Sequence, residues 1–405
     1  MNSPLCPSCL NSSFEPLIDF GRIPRTGYFL SSPSQSYPTL QLDFEFCSQC
    51  GLIRRCTEDE ETPDYTEVNR KTDRQLPNYA QEIINRLHQK NISKDELVIE
   101  IGANDGTFLN LLAETGFKRR LAVEPSTTLA TICHENGHQV CNTHLDKKQA
   151  LNIREKWGLA SLIICRHTLE HVPKPRELLL AMRALLAEGG ILFLEVPDTR
   201  IILEELQGYE LWDEHLHYFT VDNLSILLKQ TGFSLDVIKS LSHRSSANIL
   251  CWCSLDAQLN NHDTYEVSER LSNLERCHNF SKEWTTLSQQ LLTSITSGKE
   301  PIIAIGAGHL QSNFLQFTGL GSYISFLVDD DTLKSGKYLL LPQKVPVIST
   351  AELLSKVSPG TIVKTAFGYD SWMNKIIDAY SSSELTIIDP YSFLKESGST
   401  RHESN

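Results

Sequence analysis

The chain is short of basic charge. Thirty-seven Lys and Arg stand against 50 Asp and Glu, a formal net charge of −13. A surface that tracks phosphates is normally basic, so no nucleic-acid partner is expected. No run of about 18 apolar residues occurs, which leaves no membrane-spanning segment and no membrane partner. The opening MNSPLCPSCLNSSF lacks a charged stretch followed by an apolar one, so no secretory leader is expected there. The 11 cysteines are odd in number and unevenly spaced. Without an export signal they read as thiols and metal ligands, not as a disulfide framework. A cytoplasmic enzyme is the expectation. No short repeat is visible.

What is present is room for large cores. The 405 residues, 40% of them hydrophobic, predict two or three domains. Residues 1–62 hold two cysteine pairs and little helical pattern. Residues 63–95 read as a polar connector ending in an amphipathic helix. Residues 96–256 alternate strand-like and helix-like segments, with strands at 97–101, 120–124, 139–142, 161–166, 190–195, 233–240 and 247–254. Helices fit between the first five and again at 221–231. Such alternation specifies an α/β domain with helices on both faces of a mostly parallel sheet. Residues 257–299 have a helical period and no strand signal. Residues 300–393 restart the alternation as a smaller α/β domain, and 394–405 form a polar tail expected to fray.

Cys6-Pro-Ser-Cys9 and Cys47-Ser-Gln-Cys50 are two Cys-x-x-Cys turns. Each points two sulfurs at one ion, and two such turns complete a tetrahedral thiolate shell. Structural Zn2+ on Cys6, Cys9, Cys47 and Cys50 is therefore expected. A redox Cys-x-x-Cys would need a βαβ context that is missing here. Cys56 lies nearby at a spacing that suits packing.

The stretch VIEIGANDGTFLNLLAETGFKRRLAVEPS, residues 98–126, reads as a β-turn-α-β unit. Glycines at 102 and 106 let backbone approach a ligand closely, and an acid at the tip of the second strand suits free ribose hydroxyls. The spacing is not G-x-G-x-x-G. E-x-G-x-N-x-G, with an acid about twenty positions later, resembles motif I of class I S-adenosylmethionine (SAM) methyltransferases. The resemblance implies a seven-stranded, Rossmann-like SAM domain. It places Glu100, Gly102, Asn104, Asp105 and Gly106 along the methionine and sugar portions, and Glu124 on the two ribose hydroxyls. Ser126 and Asp146 stand where adenosyl contacts are usual. Both also suit a helix N-cap.

Two histidine-bearing stretches follow the fourth and fifth strands, CRHTLEHVPKP (165–175) and LWDEHLHYFT (211–220). An imidazole near its ordinary pKa can take a proton from a reacting centre. In related sheets such histidines also fix loops. The whole chain resembles the three-part C-methyltransferases that act on nucleotide-linked keto-deoxysugars. The segments carrying this are CPSC, LIDFGRIPRTGYFL, FCSQCGLI, VIEIGANDGTF, VEPS, IIAIGAG and VDDDTLKSGKYL with the VPVI after it. The family joins a zinc domain, a SAM domain and a C-terminal Rossmann-like domain. Its Tyr-x-Glu-His falls on Trp212-Asp213-Glu214-His215, with Trp in place of Tyr. The resemblance implies His215 as base, Glu214 to orient it or raise its basicity, His171 to donate to the enolate oxygen or position the sugar, and Tyr65 from the connector.

IGAGHLQSNF has Gln311 where a dinucleotide loop has its third glycine, so no NAD is expected there. Gly306, Gly308 and Lys334 are candidates to hold part of a nucleotide sugar. The expected function is SAM-dependent C-methylation of a nucleotide-linked keto-deoxysugar by a monomer or homodimer. The alternatives are O- or N-methylation of a sugar or small metabolite, favoured by Trp212, and a non-catalytic zinc-containing scaffold.

Overall fold

The computed structural model describes residues 5–26, 28–35, 39–56, 80–89, 92–243, 246–256, 267–380, 385–390 and 392–393. Tyr65, most of the 63–95 connector, residues 257–266 of the linker and the 394–405 tail lie outside them.

The N-terminal segment makes four strands: β1 (Phe14–Pro24), β2 (Phe29–Leu30), β3 (Thr39–Cys47) and β4 (Ile53–Arg55). Along β3 the buried side chains Leu42, Phe44 and Phe46 alternate with more open ones, the period of a strand with one buried face. β1 lies beside β3.

The α/β alternation follows: α1 (Ala80–Gln89), β5 (Leu97–Ile101), α2 (Thr107–Glu114), β6 (Arg119–Val123), α3 (Thr127–Glu135), β7 (Gln139–Cys141), α4 (Lys147–Trp157), β8 (Ala160–Arg166), α5 (Pro175–Leu185) and β9 (Leu186–Pro197). Next come α6 (Thr199–Glu204), β10 (His217–Tyr218), α7 (Val221–Gln230), β11 (Phe233–His243) and β12 (Ser246–Leu255). Seven of these strands form one sheet in the order β11-β12-β9-β8-β5-β6-β7. β12 pairs antiparallel with β9 and β11, while the pairs from β9 to β7 are parallel. All five residues of β5 are buried, as a central strand covered on both faces requires. The chain moves outward from β5 to β6 and β7, then returns to place β8 on the other side of β5. The crevice outside the carboxyl ends at that reversal is where such sheets bind ligands. This is the mostly parallel seven-stranded sheet of the class I methyltransferase fold.

The remaining elements are α8 (Val267–Thr296), β13 (Ile302–Ile305), α9 (His309–Phe317), β14 (Phe326–Val328), β15 (Tyr338–Leu340), β16 (Lys344–Ile348), α10 (Thr350–Lys356), β17 (Thr361–Lys364), α11 (Asp370–Tyr380) and β18 (Thr386–Ile388). They supply a second seven-stranded sheet, β18-β17-β13-β14-β16-β15-β2. Its outer strand β2 comes from the N-terminal segment and pairs antiparallel with β15.

Two compact units result, and neither is one stretch of chain. The first is Met1–Glu15, Phe46–Thr199 and Glu214–Leu274; the second is Pro16–Glu45, Arg200–Asp213 and Glu275–Asn405. The division differs from the contiguous boundaries read from sequence, and specific contacts explain it. In the second unit Phe20 stacks on Phe317 with centroids 4.0 Å apart, and Thr26 donates to Asn313 at 3.0 Å. In the first, the Arg176 guanidinium of α5 donates to the carbonyls of Pro7 and Ser8. Among the described residues, no helix is long and apolar enough to cross a membrane.

Candidate active site and metal centre

The loop after β5 is held by backbone conformation and close packing. Gly102, Asn104 and Gly106 all have positive φ, at 70°, 52° and 79°. A Cβ on Gly102 would lie 2.1 Å from Thr168 Oγ1. Thr168 belongs to the loop after β8, so Gly102 lets the loops after β5 and β8 meet. Gly102→Ala is expected to destabilise the first unit by about 1–3 kcal/mol and to weaken SAM binding. A thermal melt and a calorimetric titration on the variant check this.

Glu124 ties the loop to the tip of β6. Its Oε2 accepts from Asn104 N at 2.8 Å and its Oε1 from Ser126 N at 2.9 Å. Burial pushes its carboxyl up, against the pull of those two N–H groups. Each oxygen keeps a second lone pair, which is the capacity a vicinal diol needs. Glu100 sits beneath, 3% exposed. Burial pushes its carboxyl up to about 8, against the Arg166 guanidinium, and its Oε2 has no hydrogen-bond partner among the described residues. A buried carboxyl with one open oxygen suits a ligand ammonium.

Three other expected contacts serve local structure. Asp105 Oδ1 accepts from both the N–H and hydroxyl of Thr107. Ser126 is the N-cap of α3 and Asp146 that of α4, accepting from Leu129 N and Gln149 N. Asp146 is also exposed. Between the two readings left open for Ser126 and Asp146, the geometry displays the cap.

The histidine stretches converge within the first unit. A 3-10 turn, Leu169–His171, follows β8, and Thr168 Oγ1 within that loop donates to Ile101 O at 3.3 Å. The His171 and His215 rings are 4.6 Å apart, edge to face, and His215 is 8% exposed. His171 Nδ1 lies 3.0 Å from the Glu214 carbonyl oxygen. A carbonyl only accepts, so the proton sits on Nδ1 and neutral His171 presents a bare Nε2. Glu214 thus enters the site through its backbone, holding His171.

Sequence reasoning missed two carboxylates here. Glu170, 1% exposed, brings a carboxylate oxygen within 4.8 Å of a ring nitrogen of both His171 and His215. Glu195, fully buried at the carboxyl end of β9, accepts from Arg166 Nε at 2.5 Å and from Asn248 Nδ2 at 3.2 Å. His167, at φ 45°, reaches Glu195 with Nε2 at 3.2 Å and Glu170 with Nδ1 at 3.4 Å. Burial works to lower the His167 pKa, but Glu195 and Glu170 outweigh it and hold the imidazole up at about 10. The signals available were the HTLEHV and FLEVPD phrases, whose acids are visible but whose facing is set by the fold.

In the second unit, Gly306 and Gly308 open α9. A Cβ at Gly308 would meet Gln311 Oε1 at 2.4 Å, so the Gln311 side chain packs against that turn. Lys334 Nζ is held by Asp329 at 3.0 Å. Trp212, in the place of the expected phenol, lies tilted by 30° against His309 with centroids 4.8 Å apart.

The two cysteine turns are built alike. Leu10 N donates to Cys6 O and Gly51 N to Cys47 O, with Leu10 and Gly51 at φ 65° and 71°. The sulfurs of Cys6 and Cys50 are 3.6 Å apart and those of Cys9 and Cys47 3.5 Å. Disulfide sulfurs are about 2.05 Å apart. A tetrahedron with Zn–S near 2.3 Å has edges of about 3.8 Å, so the four sulfurs fit one ion. Bonds within the cluster push the Cys50 thiol up and pull Cys47 down.

Comparison with known proteins finds methyltransferases. A family model described as a methyltransferase domain matches residues 72–237, and one described as a C-methyltransferase C-terminal domain matches residues 203–364. C-methyltransferase NovU of Streptomyces niveus is 24% identical over 383 residues, covering 90% of each chain. Among solved structures, a SAM-dependent methyltransferase from Anabaena variabilis aligns over 44% of this chain and 88% of its own, at 18% identity and TM-score 0.37. Magnesium protoporphyrin IX methyltransferase ChlM from Synechocystis, with bound SAM, aligns over 43% and 77%, at 16% identity and TM-score 0.34. The second family model spans much of the second unit, which a lone methyltransferase domain would not have. The chain is therefore a methyltransferase whose sequence matches both a methyltransferase domain and a C-methyltransferase C-terminal domain.

Proposed function

We propose that the chain methylates a carbon next to the ketone of a nucleotide-linked keto-deoxysugar. The supporting observation is the His171–His215 pair, 4.6 Å between ring centroids, in and after the loop that packs on Gly102. SAM, when bound, supplies an electrophilic methyl group. The adenosyl diol fits Glu124, and the methionine ammonium fits Glu100. The carbon to be methylated must first lose a proton. His215 takes it, and the C–H electron pair becomes the enolate. The developing oxyanion needs a donor. Neutral His171 carries its proton on Nδ1, toward Glu214, so it donates from Nε2 only as the imidazolium. The loop contacts fix the acceptor carbon in line with the methyl group, and such positioning supplies much of the rate. The match to a C-methyltransferase C-terminal domain and to NovU supports carbon as the acceptor. Zn2+ on the four sulfurs would brace the fold and take no part in the chemistry.

Incubation of the protein with SAM carrying a 13C methyl and a panel of nucleotide-linked keto-sugars tests this. The expected product gains one methylene, and its 13C resonance falls in the C-methyl region. A resonance in the O- or N-methyl region, favoured by Trp212, would replace the carbon reading.

Glu100 gives a further expected outcome. Its carboxyl is held near 8 in the free protein, so at neutral pH it is mostly protonated. A bound ammonium favours the ionised form and drives the proton off. SAM affinity is therefore expected to rise between pH 6 and 8, with proton release. Titrations in buffers of different ionisation enthalpy check the sign, and Glu100→Gln is expected to flatten the slope.

A further inference from the structure

The His171–His215 pair has a proton requirement that neither ring meets alone. One imidazole must be neutral to act as base, and His171 must carry a second proton to donate. Glu170 supplies the matching negative charge. It is 1% exposed, and neither carboxylate oxygen has a hydrogen-bond partner among the described residues. One of its oxygens lies within 4.8 Å of a ring nitrogen of each histidine. Its backbone is fixed as well, because Leu216 N donates to Glu170 O at 2.8 Å. That bond ties the turn bearing Glu170 and His171 to the strand entry bearing His215.

We infer that Glu170 is a positioning residue that keeps one proton on the His171–His215 pair, so that turnover starts with one imidazolium and one neutral imidazole. This rests on the proposed carbon methylation. The balance is simple. His215 accepts the carbon-bound proton, the C–H electron pair becomes the enolate, and His171 Nε2–H donates to its oxygen. The enolate carbon takes the methyl group as the S–CH3 bond breaks, its electron pair staying on sulfur as the neutral thioether, and the proton on His215 leaves to solvent. Glu170 touches none of the reacting atoms.

The other titratable groups around it are few among the described residues. His167 faces it at 3.4 Å. Cys165, at the end of β8, feels its charge. Tyr218 lies edge-on to His215 at 5.6 Å. His217, on β10, is held down at about 4 by burial and by Arg54. His167 divides between Glu195 and Glu170, so the Glu170 carboxylate faces three imidazoles, those of His167, His171 and His215.

The test is a 15N-histidine NMR titration of the full chain, with the two rings assigned through His171→Gln and His215→Gln. In the unsubstituted protein one ring of the pair is expected to keep its second proton at pH 7. In Glu170→Gln its midpoint is expected to fall by about one to three pH units, and Glu170→Asp should restore part of the shift. The acidic limb of the exchange-rate profile should move in step, with SAM affinity unchanged. Equal midpoints in the parent and Glu170→Gln would overturn the inference. So would two rings neutral at pH 7 in the unsubstituted protein, a measurement that holds even if Glu170→Gln does not fold. If the midpoints shift and no keto-sugar exchanges its proton, the functional reading fails while the role of Glu170 stands.

Discussion

His215→Ala is expected to lower turnover by about 100-fold or more, the scale of a lost acid–base group, with SAM affinity unchanged. The separation follows from geometry. The groups proposed to face the adenosyl moiety are Glu124, with its bonds to Asn104 and Ser126, and Glu100 beneath the loop. His215 is part of neither set; it faces His171 and Tyr218. Removing the ring takes away the proton acceptor and leaves the loop intact. Calorimetry with SAM, run beside steady-state rates, checks both halves. Near-normal turnover would remove His215 from the mechanism, and a parallel loss of SAM binding would make its role structural.

Stripping the metal is the second large effect. One zinc per chain is expected, measured by plasma mass spectrometry. Structural zinc contributes about 10–16 kcal/mol in isolated zinc-finger peptides. Here the site is built into a larger core. Cys6, Cys47 and Cys50 pack in one hydrophobic cluster with Ile99, Leu179 and Phe219, and Ser8 Oγ donates to the Asn223 carbonyl at the start of α7. Loss of the ion leaves four crowded sulfurs with no cation between them and frees both turns. A strong chelator, or Cys47→Ala, is expected to lower the unfolding midpoint of the SAM-binding unit by roughly 10 °C or more. A protein that carries no metal, or that melts unchanged after chelation, would remove the ion from the account.

The central sheet was legible because its strands are short apolar runs between helical periods, and a fully buried strand such as Leu97–Ile101 cannot look otherwise. The glycine loop was legible for a similar reason: positive φ at 102 and 106 leaves few residues to choose from. The cysteine turns were legible from spacing alone. What sequence could not show is pairing across long separations. Phe29 and Leu30 joining a strand at 338–340 leaves no local pattern, and neither does the two-unit division. For Ser126 and Asp146 the sequence offered a cap and a ligand contact side by side, and the bonds to Leu129 and Gln149 show the cap. Glu170 sat in plain view between Leu169 and His171. Its relation to His215, 45 positions on, depends on the turn after β8 meeting the loop before β10.

Solvent deuterium exchange into the acceptor, followed in heavy water without SAM, tests the central claim most directly. If His215 removes the proton beside the ketone, the enzyme will exchange that hydrogen for deuterium with no methyl donor present, and His215→Ala will not. A keto-sugar that is methylated on addition of SAM yet takes up no deuterium beforehand, while binding the protein, would contradict carbon methylation through an enolate formed by His215.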